Sequence, residues 1–385
     1  MSLRVVLAPD SFKESLPAAD VCAALEQGVR AAARDAEVAC VPMADGGEGT
    51  AATLVAATGG RHVPVTVAGP LGTSVESSFG LLGDGTTAVV ELAAASGLEL
   101  VAAGDRDVHR SGTFGTGELV RAALDAGATR VVVGIGGSAT NDGGAGLLVA
   151  LGARVLDGAG EPVRAGATGL HDVADVDWSG LDPRLRDVRL DVACDVDNPL
   201  LGPRGASTVF GPQKGASAED VAHLEAALTR WADVVARSGE DRRDVAGAGA
   251  AGGTGLALLQ LGADLRPGVE LVAEVVGLRS ALHGADLVIT GEGRVDAQTL
   301  HGKTPAGVVS MARELAVPVV VLAGCVGDGA ETVLDAGAAA VLPIADGATA
   351  PADLLAPDVT AANLQRTARS VVTLWLAAAR ASADG

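Results

Sequence analysis

RHVPVTVAGPLGTSVESSFGLLGDGTTAVVELA, residues 61–93, decides the fold. It reads strand, turn, strand, turn, strand, with Gly69-Pro70 and Gly83-Asp84-Gly85 as the turn signals. Three strands joined by tight turns pair antiparallel and leave no room for crossover helices. Everything around this stretch follows another rhythm.

On both sides, short β-branched runs alternate with Ala- and Leu-rich helical stretches, which is the pattern of a parallel sheet covered by helices. Strands are expected at residues 3–8, 38–42, 130–134, 188–194, 285–290, 317–322 and 339–344. A helix is expected over 17–34 with Ser15 as its N-cap. Another starts at Ser217, where Asp220 completes a capping signal and Val221, Leu224, Leu228, Trp231 and Val235 recur at helical spacing. The reading is α/β with two domains. A doubly wound parallel-sheet domain is built from both termini, residues 1–62 and 285–385, and an α/β domain of α+β character, residues 63–284, is inserted in it.

Six segments combine glycine with acids and small hydroxyl residues: APDSFKES (8–15), MADGGEGT (43–50), GIGGSATNDGGAG (134–146), CDVDNPLLGPRGA (194–206) leading to FGPQKGA (210–216), GAAGGTG (249–255) and TGEGRVDAQTLHGKTPAG (290–307). Each follows an expected strand or precedes a helix, where open α/β sheets bind ligands. Glycine turns let backbone N–H groups approach an anion, and Gly136, Gly137, Ser138 and Thr140 fit that role. With 53 glycines in the chain, a tight turn is the plain alternative for any single block. The standard motifs fail. Gly247-Gly249-Gly252 follows charged residues rather than a strand, and Gly302-Lys303-Thr304 has Ala297 where a P-loop needs glycine.

Of 28 basic residues only Lys13, Lys214 and Lys303 are lysines, and all three fall inside these blocks. Lysine offers a compact charge suited to phosphate or carboxylate. The acids Asp10, Asp45, Glu48, Asp142, Asp195, Asp197, Glu292 and Asp296 lie there too, as do Asn141 and Asn198. Carboxylates beside phosphate-type loops serve as Mg²⁺ ligands or as a base for an attacking hydroxyl, although Asp142 and Glu48 also sit where helix caps are expected. His301 is a candidate supporting group, and the other histidines read as surface or satisfied residues.

The 385-residue chain carries a net charge of −20 and only 2% aromatics. That composition argues against nucleic acid and against an anionic membrane surface. No apolar run reaches membrane-spanning length, and the opening MSLRVVLAPD carries no secretion signal. The four scattered cysteines read as free thiols, so a cytoplasmic setting is expected.

The six blocks, in order and from residue 5 to the terminal helix, resemble the bacterial type-1 glycerate kinase family. The resemblance implies ATP-dependent phosphorylation of D-glycerate, with 2-phosphoglycerate as product. It also implies a Rossmann-like domain from both termini, an inserted domain, and an active site in the cleft between them. Mg²⁺ and ATP would be the cofactors, glycerate the small-molecule partner, and the protein a monomer or homodimer. Phosphoryl transfer rests on positioning and charge neutralisation, which guides the roles. Asp195 is the expected base, with Asp296 second and Lys13 also catalytic. Asp10, Ser11, Lys13, Asn198 and Arg294 would hold glycerate. Gly136, Gly137, Ser138, Thr140, Asn141, Lys214, Gly252, Gly253 and Lys303 would hold the nucleotide, and Asp45 and Glu48 the metal. Glycerate 3-kinase activity, a kinase for another small hydroxy acid, a nicotinamide oxidoreductase and a non-catalytic sensor of phosphorylated metabolites are the alternatives. The charges nearest the position of a ribose-binding acid, Arg154 and Asp157, weaken the oxidoreductase.

Overall fold

The computed structural model describes residues 2–300, 302–345, 347 and 351–383. His301 lies outside the described residues. Among the described residues the strands are β1 (Arg4–Leu7), β2 (Glu37–Cys40), β3 (Arg61–Ala68), β4 (Ser74–Leu81), β5 (Thr87–Glu91), β6 (Arg130–Gly134), β7 (Arg154–Asp157), β8 (Val173–Asp177), β9 (Arg189–Ala193), β10 (Asp264–Arg266), β11 (Leu287–Val295), β12 (Val319–Val326) and β13 (Ala340–Pro343). No helix among the described residues is long and apolar enough to cross a membrane.

The chain divides into two compact units. The first comprises Met1–Asp45 and Val269–Gly385, the second Gly46–Gly268. These boundaries differ from the expected 62/63 and 284/285. The helix Thr50–Thr58 packs on β3, β4 and β5, and Glu91 at the end of β5 accepts a hydrogen bond from Ala51 N (2.8 Å), so that segment belongs to the second unit. Val269, at the start of the helix Gly268–Val276, packs where any side chain on Gly307 would stand, so that helix begins the first unit.

The first unit holds a five-stranded sheet in the order β13-β12-β11-β1-β2, parallel throughout. Numbered within the unit this is the doubly wound order 2-1-3-4-5, which reverses direction between β1 and β11. Val5, Leu7, Leu287, Ile289 and Leu322 are fully buried in the sheet, as expected of strands covered on both faces. The helices Ala18–Ala32 and Pro357–Ala383 pack together, and Gly28 permits it: a Cβ there would stand 2.4 Å from the Gln365 carbonyl oxygen. The expected Ser15 cap is not formed. Pro17 occupies the N-cap position, and the Ser15 hydroxyl donates instead to Thr360 Oγ1 (2.7 Å), because the chain turns back through the Phe12–Leu16 pairing before the helix begins.

The second unit holds a six-stranded mixed sheet in the order β10-β9-β6-β5-β4-β3. β3, β4 and β5 form the antiparallel hairpins read at 61–93, and β5, β6, β9 and β10 run parallel. A separate β7–β8 ribbon is antiparallel. The helix Ala218–Val235 opens with the capping box expected from Ser217 and Asp220 and buries Leu224, Leu228 and Trp231. Trp231 also donates from Nε1 to the Gly143 carbonyl (2.9 Å), so the core braces the glycine loop that follows β6.

Candidate functional site

Each unit gathers polar groups at the carboxyl ends of its parallel strands. In the second unit, a recess of about 220 Å³ opens there, lined by Gly46, Gly136, Gly137, Ser138, Asp195 and Lys214 among others. Gly137 turns with φ 70°, and the loop is held by Leu98 N donating to the Gly137 carbonyl (2.8 Å) and Ala139 N donating to the Ser96 carbonyl (2.9 Å). Gly134 needs its missing side chain, since a Cβ would stand 2.7 Å from the Gly46 carbonyl oxygen.

Lys214 lies in this recess with a fractional exposure of 2%. Its Nζ donates to Ser138 Oγ (2.8 Å) and to the Thr140 carbonyl (2.7 Å). Burial of its charge pushes its pKa down to about 7, against a weaker opposing pull from Asp142. Asp142 is fully buried and committed to the loop, accepting from Thr113 N, Thr113 Oγ1, Gly144 N and Gly146 N. Burial raises its pKa despite those donors. Asn141 donates from Nδ2 to Ser207 Oγ (3.1 Å), while its buried Oδ1 has no hydrogen-bond partner among the described residues.

In the first unit the groups converge where β1 and β11 part, the topological switch point. Asp10 follows β1 and donates from its backbone N to the Gly291 carbonyl (2.9 Å). Its carboxylate accepts from Ser11 N (2.6 Å) and from Thr304 Oγ1 (2.5 Å), at the start of the helix Thr304–Glu314. Glu292 accepts from Thr299 Oγ1 (2.8 Å) and lies 3.5 Å from Lys303 Nζ. Burial raises Asp10 to about 6, with Asp45 adding to the rise, and raises Glu292 to about 7, with Asp10 adding to it. Two acids that hold protons into the neutral range beside a lysine mark a site able to take or give a proton.

The structure therefore sorts the expected residues. Gly136, Gly137, Ser138, Asp195 and Lys214 meet in the recess, with Thr140 directly behind it. Asp195 is exposed and accepts from Gly268 N (2.9 Å) through Oδ1. Gly252 and Gly253 lie beneath the lining, which presents Ala250 and Ala251 instead. Their positive φ values let the backbone pass tightly: a Cβ on Gly252 would stand 2.0 Å from the Thr140 carbonyl oxygen. Asn198 is spent on its own turn, donating from Nδ2 to the Arg204 carbonyl (2.7 Å).

Asp10, Ser11 and Lys303 meet at the switch point. Lys13 is exposed on the adjoining turn, whose backbone passes over Gly293. Arg294 pairs with Asp296 (2.8 Å). That guanidinium, with Gln298 N, holds the Asp296 carboxyl below the usual carboxylate range, which makes it a poor base at neutral pH. Asp45 is half-buried and Glu48 exposed. No group of three His, Cys, Asp or Glu side chains among the described residues converges as a metal-binding cluster. Mg²⁺ on a nucleotide needs only one or two carboxylates beside phosphate oxygens and water.

Thr299 and Thr304 carry weight that the sequence reading did not give them. Thr304 stands directly after Lys303, and its place in Gly302-Lys303-Thr304 was the available signal.

Comparison with known proteins agrees with these blocks. A family model described as the glycerate kinase family matches residues 5–376. The chain is 50% identical to a glycerate kinase of Bacillus subtilis (strain 168), over 96% of this chain and 97% of that one. It is 49% identical to a glycerate 2-kinase of Escherichia coli (strain K12), over 89% of this chain and 90% of that one. A crystal structure of a protein assigned as glycerate kinase 2 of Salmonella typhimurium LT2 superposes with a TM-score of 0.91 at 47% identity, covering 99% of this chain and 100% of that one.

Proposed function

The chain belongs to the glycerate kinase family, and on that premise we propose that it transfers the γ-phosphoryl group of Mg²⁺-ATP to the C2 hydroxyl of D-glycerate, giving 2-phosphoglycerate and ADP. The enzyme is a phosphotransferase with an alcohol acceptor. The relative named a glycerate 2-kinase supports the C2 choice.

One observation carries the nucleotide half of the proposal. Lys214 is a buried lysine that pairs with no carboxylate among the described residues, in a recess lined by glycine backbone. An anionic phosphate supplies the missing charge and fits where side chains are absent. Mg²⁺, when bound, neutralises charge on the transferring phosphoryl group. Asp45 and Glu48 are assigned to it. Asp195, on the wall of the recess, is assigned as the base that takes the hydroxyl proton. At the switch point, Lys303 and the exposed Lys13 provide positive charge for glycerate's carboxylate, and Asp10 and Ser11 provide polar groups for its hydroxyls.

The test is ADP release from ATP with D-glycerate, with the product resolved as 2- or 3-phosphoglycerate by ³¹P NMR. Release with another hydroxy acid but not with glycerate refutes the substrate, and 3-phosphoglycerate refutes the C2 assignment. Loss of a true base costs on the order of 10²–10⁴ in turnover. A folded Asp195→Asn variant within about threefold of wild type removes Asp195 from that role.

A further inference from the structure

We infer that binding of nucleotide phosphate at the recess draws one proton from solvent onto Lys214, so that the site charges itself as it fills. This rests on the reading of the recess as the phosphate site, and adds to it a coupling between binding and pH.

The geometry supports two N–H bonds at Lys214 and no more. Ser138 Oγ and the Thr140 carbonyl accept from Nζ at 2.8 and 2.7 Å, and no third acceptor is present among the described residues. A neutral amine, with two N–H bonds, is satisfied by that arrangement. An ammonium has a third, and leaving it unmet in a buried site is costly.

The charged groups on the surrounding elements do not repair this. On the β6 loop, Asp142 is the nearby acid, and four donors already engage it. On the segment before Thr113, Arg106 donates from NH1 to the Gln213 carbonyl (3.1 Å), which places a second cation near the lysine's own turn. After β9, Cys194 and Asp195 line the recess, with Asp195 bound to Gly268 N. On the loop carrying Gly46 and Gly47, Glu48 is exposed. The helix Ala206–Phe210 contributes only neutral Ser207, which is taken by Asn141.

The free site therefore holds Lys214 largely as the amine above neutral pH, consistent with its pKa of about 7. A phosphate oxygen in the recess provides both the third acceptor and the counter-charge. The proton comes from buffer and forms the third N–H bond, and no other bond changes. Arginine at this position would stay charged at every accessible pH and would show no such uptake.

The experiment is calorimetric titration of the full-length protein with Mg²⁺-ATP, without glycerate, in two buffers of different ionisation enthalpy at pH 6.0 and 8.0. The difference between buffers gives protons exchanged per nucleotide. At pH 8.0 the phosphates are ionised, and wild type is expected to take up about 0.5–0.9 proton, falling to about 0.1 from the lysine at pH 6.0. A Lys214→Met variant, which buries a side chain of similar length without charge, should lose the uptake at pH 8.0 and bind ATP at least tenfold more weakly.

ATP binding to wild type with uptake below about 0.1 at pH 8.0 overturns the inference and leaves the phosphate recess standing. Undiminished uptake in a folded Lys214→Met variant overturns it as well. Absence of ATP binding overturns the recess assignment and the coupling with it.

Discussion

Glu292→Gln should stabilise the protein at neutral and alkaline pH and not at acid pH. Glu292 is raised from an ordinary 4.5 to about 7, mainly by burial. A raised acid binds its proton more tightly folded than unfolded. Its stabilising contribution is therefore full below the unfolded value of 4.5 and is lost as pH climbs to about 7. At about 1.4 kcal/mol per pH unit, the ionised carboxylate costs the fold up to about 3 kcal/mol above that pH. The replaced contacts offset part of this. Glutamine keeps an acceptor for Thr299 Oγ1, and the pull of half-buried Lys303 at 3.5 Å is already contained in the raised value, so the offset is the cost of seating an amide in place of the acid, about 1 kcal/mol. The net expectation is a gain of about 2 kcal/mol at pH 8.5 and no gain at pH 5.0. For a unit of this size that raises the melting temperature by roughly 4–8 °C at the higher pH. Scanning calorimetry of both proteins at the two pH values reads it directly, with the transition that moves assigned to the first unit. A variant that melts below wild type at pH 8.5, or that shifts equally at both pH values, refutes the reasoning.

Other outcomes follow from the same geometry. Gly252→Ala should lower the stability of the second unit by about 2–4 kcal/mol and abolish ATP binding, because its Cβ meets the Thr140 carbonyl at 2.0 Å in a left-handed backbone; urea unfolding with unchanged midpoint contradicts it. Ser217→Ala removes the capping box and should cost about 1 kcal/mol of stability with kcat and KM unchanged, as read by urea titration and steady-state kinetics. Asp10→Asn should raise the KM for glycerate more than that for ATP, since its carboxylate is tied to Ser11 and Thr304 at the switch point; an equal rise in both places its effect elsewhere.

Much of the fold was written in local signals. Arg130–Gly134 matches β6 end to end, and the strand–turn–strand pattern at 61–93 became β3, β4 and β5, because strongly alternating or β-branched runs between glycine turns allow little else. β7 and β8 were missed for the converse reason. Their residues, RVLD and VADVD, are half polar, and as strands they pair with each other rather than with the six-stranded sheet. The glycine-acid blocks told which loops would gather, yet not what each residue would do there. Lys214 and Lys303 look alike in sequence, one after Gln213 and one after Gly302, but one is buried with no acid partner among the described residues and the other sits beside Glu292. Likewise Gly252 and Gly253 read as loop surface and proved to be packing beneath it, since only the fold shows which backbone must pass close to Thr140. The raised acids Asp10 and Glu292 were invisible for the same reason, burial being a property of the folded chain.

The position of β1 has a consequence for synthesis. This strand pairs with β2 on one side and with β11 on the other, and the Ala8 carbonyl waits for the Thr290 hydroxyl 282 positions further on. At a translation rate of roughly 5–20 residues per second, that partner emerges about 15–60 seconds later. In the interval the ribosome delivers the whole of Gly46–Gly268, whose strands need nothing from beyond it. The inserted unit can thus mature on the nascent chain while the apolar Arg4–Leu7 edge stays open. Nascent copies are most exposed to chaperone capture and to aggregation in that window, and a pause in translation before residue 287 would lengthen it.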